Sequence, residues 1–199
     1  MSNISFKEFI LSRQNPVIFD KNGEFVYFPT NKAMQTTLVR NILSDRCIVY
    51  KNNKTKWLEK LNETDFDNIY KFGITRHPIF KFESAFNYLK KQPRLSKRMN
   101  IANTNINHYI KTVVINFEDP ALLNPHFEKQ YESFYFNDKL VVDDLFKMEI
   151  QDDIDKMYET IGIPKNTGHF NKTNYEKILD EESIHILERI YSKDVALYK

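Results

Sequence analysis

Apolar residues in this chain fall in short blocks separated by polar and turn-forming residues. Glu24–Phe28 is a compact β-branched and aromatic run between Asn22-Gly23 and Pro29, which predicts a buried strand. Arg46–Tyr50, with Cys47, Ile48 and Val49, predicts a second strand, and Ile69–Thr75 a third. The third stops at Arg76-His77-Pro78, because the residue before a proline is pushed towards extended geometry and the proline can open a helix. Another strand is expected within Lys139–Met148, at Leu140–Val142 or slightly longer.

Helical spacing appears between these runs. Ser5–Arg13 and Thr36–Leu43 read as short helices, and Phe80–Lys90 carries Phe82, Ala85, Phe86 and Leu89 at the period of one helix face. A polar, basic stretch from Lys90 to Arg98 precedes a helix-like segment ending near Tyr109. Asp152–Ile161 is an amphipathic helix ended by Gly162 with Pro164 beyond it. Ser183–Tyr198 is a last helix, with Ile184, Leu187, Tyr191, Val195 and Tyr198 on one broad face. Strands alternating with helices predict an α/β layer with a mainly parallel sheet. The absence of repeats, low-complexity tracts and Gly/Ser linkers predicts a single domain over residues 1–199.

Composition narrows the chemistry. Hydrophobic residues make up 41% and charged residues 28%, a globular balance, and a net charge of +2 is too small to argue for a nucleic-acid or membrane-surface protein. Cys47 is the only cysteine, so an internal disulfide and a cysteine-built zinc site are both excluded. The histidines show no HxxxH or HExxH spacing, and no metal is expected. No apolar run approaches the roughly 18 residues of a membrane helix. The first 14 residues lack a signal-peptide core, so a cytoplasmic, soluble protein is expected.

Two segments carry candidate chemistry. In Phe25–Leu43, Lys32 and the hydroxyls of Thr36 and Thr37 stand where a strand turns into a helix. There, unpaired N–H groups and the positive end of the dipole suit a phosphate, and turn amides can form an anion-binding nest. The ordinary alternative is a solvated lysine and a threonine cap. The nucleotide-triphosphate loop GxxxxGK[ST] is absent, which argues against a kinase or NTPase. In Tyr70–Phe86, Arg76 ends a strand and Ser84 follows eight residues later on a helix. A guanidinium fork fits phosphate, but Arg76 can equally pair with a carboxylate such as Glu83 while Ser84 eases helix packing.

Taken together, these elements resemble the carbohydrate-type (family 2) sulfotransferases. That family has a Lys-x-x-x-Thr-Ser/Thr loop for the 5′-phosphosulfate and an Arg-x-Pro…Ser element for the 3′-phosphate. They correspond here to Lys32, Thr36 and Thr37, and to Arg76, Pro78 and Ser84. Asn124–Gln130 is similar to the family's His-aromatic-x-x-Gln element, and Phe146-Lys147-Met148-Glu149 to its strand end. Ile161–Pro164, His169–Thr173 and Ile190–Asp194 through Tyr198 are similar to its closing pattern. The likeness spans Glu24–Tyr198 in order and spacing. It departs where Asn31 precedes Lys32, where Met34 and Gln35 make the loop bulkier, and where His77 replaces Asp.

The resemblance implies a P-loop-NTPase-like three-layer fold. It also implies sulfuryl transfer from 3′-phosphoadenosine 5′-phosphosulfate (PAPS, product PAP) to a hydroxyl or amine acceptor, expected to be a small molecule or glycan. Lys32, Ala33, Met34, Gln35, Thr36, Thr37, Arg76 and Ser84 would hold the donor. Lys32 would stabilise the leaving oxygen and His126 would act as base, with Glu59, Asp45 and Glu118 as alternatives and Lys172 near the phosphates. The Lys90–Arg98 run can meet an acidic acceptor or be a wet surface. Other readings are a small-molecule phosphotransferase, a non-catalytic nucleotide-binding relative, or a nucleic-acid binder.

Overall fold

The computed structural model describes residues 9–10, 16–34, 38, 47–50, 68–164 and 178–199. Its strands are β1 (Val17–Asp20), β2 (Phe25–Phe28), β3 (Cys47–Tyr50), β4 (Tyr70–Thr75), β5 (Tyr135–Phe136), β6 (Lys139–Leu140) and β7 (Asp144–Lys147). The helices are α1 (Pro78–Lys90), α2 (Pro93–Arg98), α3 (Ile106–Thr112), α4 (Gln151–Thr160), α5 (Glu181–Ile190) and α6 (Ser192–Tyr198). They fall into two compact units that alternate along the chain. One is drawn from residues 1–30, 34–75 and 132–167, the other from 31–33, 76–131 and 168–199.

The first unit holds a sheet of order β3-β1-β2-β4-β7. β2 pairs with β4 and β4 with β7 in parallel, while β1 is antiparallel to both its neighbours, so β3 runs the same way as β2, β4 and β7. The class is α/β with a mainly parallel sheet, and α4 packs on β7. Phe72 centres the sheet's aromatic packing, with ring centroids 5.6 Å from Phe25, 5.0 Å from Tyr27 and 6.0 Å from Phe146. From β2 the chain moves to the β3 side of the sheet, and from β4 it moves to the β7 side. The reversal falls between β2 and β4. Lys32 follows β2 closely and Arg76 follows β4 directly.

Four features depart from the sequence pattern. β1 was not predicted; it turns into β2 on the Asp20 carboxylate, which accepts from the Asn22 and Glu24 amides at 3.1 Å each. The strand expected at Leu140–Val142 lies a few residues later as β7, because the Asp143 and Asp144 carboxylates anchor it to β4. Asp143 accepts from the Lys71 amide at 2.7 Å and Asp144 from the Tyr70 hydroxyl at 2.9 Å, while Lys139–Leu140 pairs with β5 instead. The long final helix divides into α5 and α6 at Tyr191, whose φ of −101° and ψ of 28° leave the helical basin. The polar stretch Lys90–Arg98, not expected to be helical, forms α2, and the helix-like segment after it begins only at Ile106 as α3, with Asn100 at φ 55° between the two helices. The predicted helices Ser5–Arg13 and Thr36–Leu43 lie largely outside the described residues.

The second unit is built on α1. Pro78 occupies its first turn, and Phe82, Ala85, Phe86 and Leu89 are buried as the periodicity predicts. Phe82 stacks on Phe127 at 4.6 Å, and Phe86 meets Tyr109 at 5.5 Å. Burying one such ring is worth about 1.5–3 kcal/mol, so this packing holds Phe127, and the turn it belongs to, against α1.

Candidate functional site

The turn after β2 contains no glycine, yet Lys32 and Met34 adopt left-handed backbone with φ of 66° and 55°. Such positions cost about 1–3 kcal/mol for residues with a Cβ and concentrate at ligand clamps. Alternating hand also turns successive N–H groups towards one side, the geometry of an anion nest. The turn is tied down by Asn31, whose amide donates to Glu128 Oε1 at 2.8 Å and whose Nδ2 donates to the Pro125 carbonyl at 3.2 Å. Ala33 and Met34 are buried, so what the turn exposes is its main chain and the half-buried Lys32.

Arg76 is brought to this turn, its guanidinium Nη1 donating to the Lys32 carbonyl at 3.0 Å. Its backbone is held by the side chain of Gln130. The Arg76 amide donates to Gln130 Oε1 at 2.8 Å, and Gln130 Nε2 donates back to the Arg76 carbonyl at 2.6 Å. Gln130 is itself fixed by the buried Asp194, whose two carboxylate oxygens accept from the Gln130 and Tyr131 amides at 2.8 Å each. Three residues earlier, the Tyr191 hydroxyl donates to the Phe127 carbonyl at 2.6 Å. Segments around residues 76, 127–131 and 191–194 thus form one hydrogen-bonded frame.

Positive charge collects around this frame. Lys81 is fully buried and donates to the carbonyls of Glu128 and, at 3.5 Å, His126. Burial drives its ammonium downward, opposed by Glu128 and Asp194. Lys32 is pushed down to about 8, first by burial and then by the charges of Arg76 and Lys81. Its Nζ lies 3.5 Å from the centroid of the Tyr88 ring, and that ring stacks on His126 at 4.9 Å. Glu83 is raised by burial and held back by Arg76, which acts on it electrostatically. Glu83 Oε2 is buried without a hydrogen-bond partner among the described residues.

The tautomer of His126 follows from its neighbour. Asn124 Oδ1 accepts from the His126 amide at 3.0 Å and lies 2.8 Å from Nδ1, while Asn124 Nδ2 is directed at Met99 Sδ at 3.7 Å. An acceptor beside Nδ1 makes that nitrogen the donor, so Nε2 carries the lone pair of the neutral ring. Burial, then Lys32 and Lys81, push the imidazole below its ordinary 6.5, which favours the neutral form.

Of the residues singled out in sequence, Lys32, Arg76 and His126 fall together, with Ala33 beside Lys32. Ser84 lies half-buried on α1, and no hydrogen bond joins it to Arg76. Met34 belongs to the same turn. Gln35, Thr36 and Thr37 lie outside the described residues, as do Asp45, Glu59 and Lys172. Glu118 is exposed, without a hydrogen bond among the described residues. Sequence reasoning missed Lys81 and Tyr88, and it assigned no role to Gln130 and Asp194. Lys81 and Tyr88 sit at helical spacing from Ser84, but a lysine and a tyrosine on a helix carry no distinguishing signal until their neighbours are known.

Among the described residues no group of three or more His, Cys, Asp or Glu is assembled to hold a metal ion, and no helix is long and apolar enough to cross a membrane. No protein-family model, curated protein or solved structure matches the chain.

Proposed function

We propose that this protein is a sulfotransferase that moves a sulfuryl group from PAPS to a hydroxyl or amine acceptor, built on a P-loop-NTPase-like three-layer fold. The observation that carries this reading is the hydrogen bond from the Arg76 guanidinium to the Lys32 carbonyl. It joins into one cationic cluster the two anion-binding elements that stand 44 residues apart in sequence. A donor bearing a phosphosulfate and a separate 3′-phosphate needs two such anion sites held at a set spacing.

In this scheme Arg76 holds the 3′-phosphate, and Ser84, eight residues on, is the second group offered to it. The turn amides around Ala33 and Met34, with Gln35, Thr36 and Thr37, hold the 5′-phosphosulfate. His126 Nε2 takes the proton of the acceptor hydroxyl as its oxygen bonds to sulfur. The bond from sulfur to the bridging oxygen breaks, and Lys32 stabilises the charge gathering on the departing 5′-phosphate. The lowered pKa of His126 keeps it ready to accept a proton at neutral pH.

Calorimetric titration with PAP, with ADP and magnesium-ATP as controls, tests the donor site. Selective binding of PAP, reduced about 100-fold or more in Arg76→Ala, is the expected result. Equal binding of ADP, or a preference for magnesium-ATP, would overturn the reading in favour of phosphoryl transfer.

A further inference from the structure

A lysine ammonium taken out of water is costly unless counter-charges and hydrogen-bond acceptors meet it. Lys81, on the inner face of α1, is only 2% exposed. The charges of Glu128 and Asp194 favour its ammonium form and that of Arg76 opposes it. Yet Lys81 makes no ion pair among the described residues. The Asp194 oxygens accept from the Gln130 and Tyr131 amides, and Glu128 Oε1 accepts from the Asn31 amide. The Lys81 ammonium donates instead to two main-chain carbonyls, that of Glu128 and, at 3.5 Å, that of His126. A lysine kept only as a counterion would touch a carboxylate. This one grips the main chain on both sides of Phe127.

The grip reaches both residues on which the site's chemistry is placed. Between the two gripped carbonyls, the Phe127 carbonyl accepts from the Tyr191 hydroxyl at 2.6 Å, so three successive carbonyls are held by side chains from other elements. Asn124 Oδ1 lies 2.8 Å from His126 Nδ1, but the Asn124 amide group is anchored only to a thioether, a weak acceptor, at 3.7 Å. The fixed main chain at 126 is therefore what keeps the ring against Oδ1. Tyr88 stands seven residues after Lys81, about two turns along the same face of α1. Its ring stacks on His126 at 4.9 Å and lies 3.5 Å from Lys32 Nζ. Glu128, whose carbonyl Lys81 holds, uses its carboxylate to hold Asn31, the residue before Lys32. His126 and the Lys32 turn are thus both tied to one point on α1.

We propose that Lys81 is a positioning residue, which sets the His126 imidazole and the Lys32 turn in place relative to each other by holding the carbonyls of His126 and Glu128. The proposal rests on the sulfotransferase reading for the roles of His126 and Lys32, and it deepens that reading by naming the group that aligns the base with the leaving-group lysine. Being buried, the ammonium acts through the main chain and not on a ligand.

The test uses the full chain as wild type, Lys81→Met, Lys81→Arg, Lys32→Met and Glu128→Ala, with the ring nitrogens of His126 followed by NMR. Lys32→Met removes a charge that acts on His126 without touching its carbonyl, so it should displace the imidazole titration upward and leave the single Nδ1–H tautomer. Lys81→Met removes charge and grip together. It should displace the titration in the same direction and also replace the single tautomer by an exchanging mixture. Lys81→Arg keeps a cation with donors and should keep the single tautomer. Glu128→Ala leaves its carbonyl on Lys81 but cuts the link to Asn31, so hydrogen exchange at the Asn31 amide should quicken by about 10-fold or more while the tautomer holds. A single tautomer in Lys81→Met, or a mixture in any of the other three variants, overturns the proposal, and those three carry the test if Lys81→Met does not fold. PAP titration in parallel separates the two readings. If the tautomer depends on Lys81 but PAP does not bind, the positioning of His126 stands and the donor reading fails; if PAP binds and the tautomer ignores Lys81, only the positioning fails.

Discussion

Lys32 has a charge that is easily lost. Burial, Arg76 and Lys81 hold its pKa near 8, well below the ordinary 10.5, and an anion binds its protonated form. Affinity for PAP should therefore be greatest below about pH 8 and decline as pH rises through that value. Lys32→Arg keeps its proton over this range and should flatten the decline. Calorimetry from pH 7 to 10 checks both, and a wild-type profile flat to pH 10 would count against the assignment. The same charge acts on His126. Removing it in Lys32→Met should raise the His126 pKa back towards 6.5, visible as a displaced imidazole titration by NMR whether or not the protein has been assayed for activity. The base form of His126 is lost as pH falls through its lowered pKa, so the acid limb of any activity profile should lie below 6.5.

The element that decides the site's shape is the pairing of the turn after β4 with the segment 126–131. Gln130 satisfies both main-chain polar groups of Arg76, and Asp194 at the start of α6 satisfies the amides of Gln130 and Tyr131. Gln130→Leu removes both of these hydrogen bonds and should cost about 2–4 kcal/mol in urea denaturation. Asp194→Ala should cost about 3 kcal/mol or more, and Asp194→Asn less, because one oxygen acceptor remains. Denaturation midpoints equal to wild type would show that the frame is replaceable. Gln130 and Asp194 were visible as parts of sequence elements, but their partnership was not. They stand 64 residues apart, and no local pattern states which amides a buried carboxylate will accept.

In the sheet as a whole, β4 lies between β2 and β7, and at Gly73 it leaves no room for a side chain. A Cβ there would stand 2.2 Å from Phe134 Cε1 and 2.9 Å from Leu145 Cδ2. Gly73→Ala should cost about 1–3 kcal/mol by overpacking, a Tm lower by about 2–10 °C in calorimetry. An unchanged Tm would mean that Phe134 yields without cost. Ligand binding acts in the opposite direction, since PAP at 100 times its Kd should add about 2.7 kcal/mol to the folded state.

The local pattern alone determined the α/β class, the burial of β2 and β4, the start of α1 at a proline and the helical face that packs against Phe127. Each of these depends on residues a few positions apart, where periodicity and proline stereochemistry act directly. Lys32, Arg76 and His126 were also legible as candidates. Only the tertiary structure decided that Arg76 reaches the Lys32 carbonyl, that Asn124 sets the tautomer of His126, and that Tyr88 touches both Lys32 and His126. Those contacts, like the break at Tyr191 and the late start of β7, depend on which distant groups burial forces together, because a desolvated polar group must find its partner wherever the fold brings one.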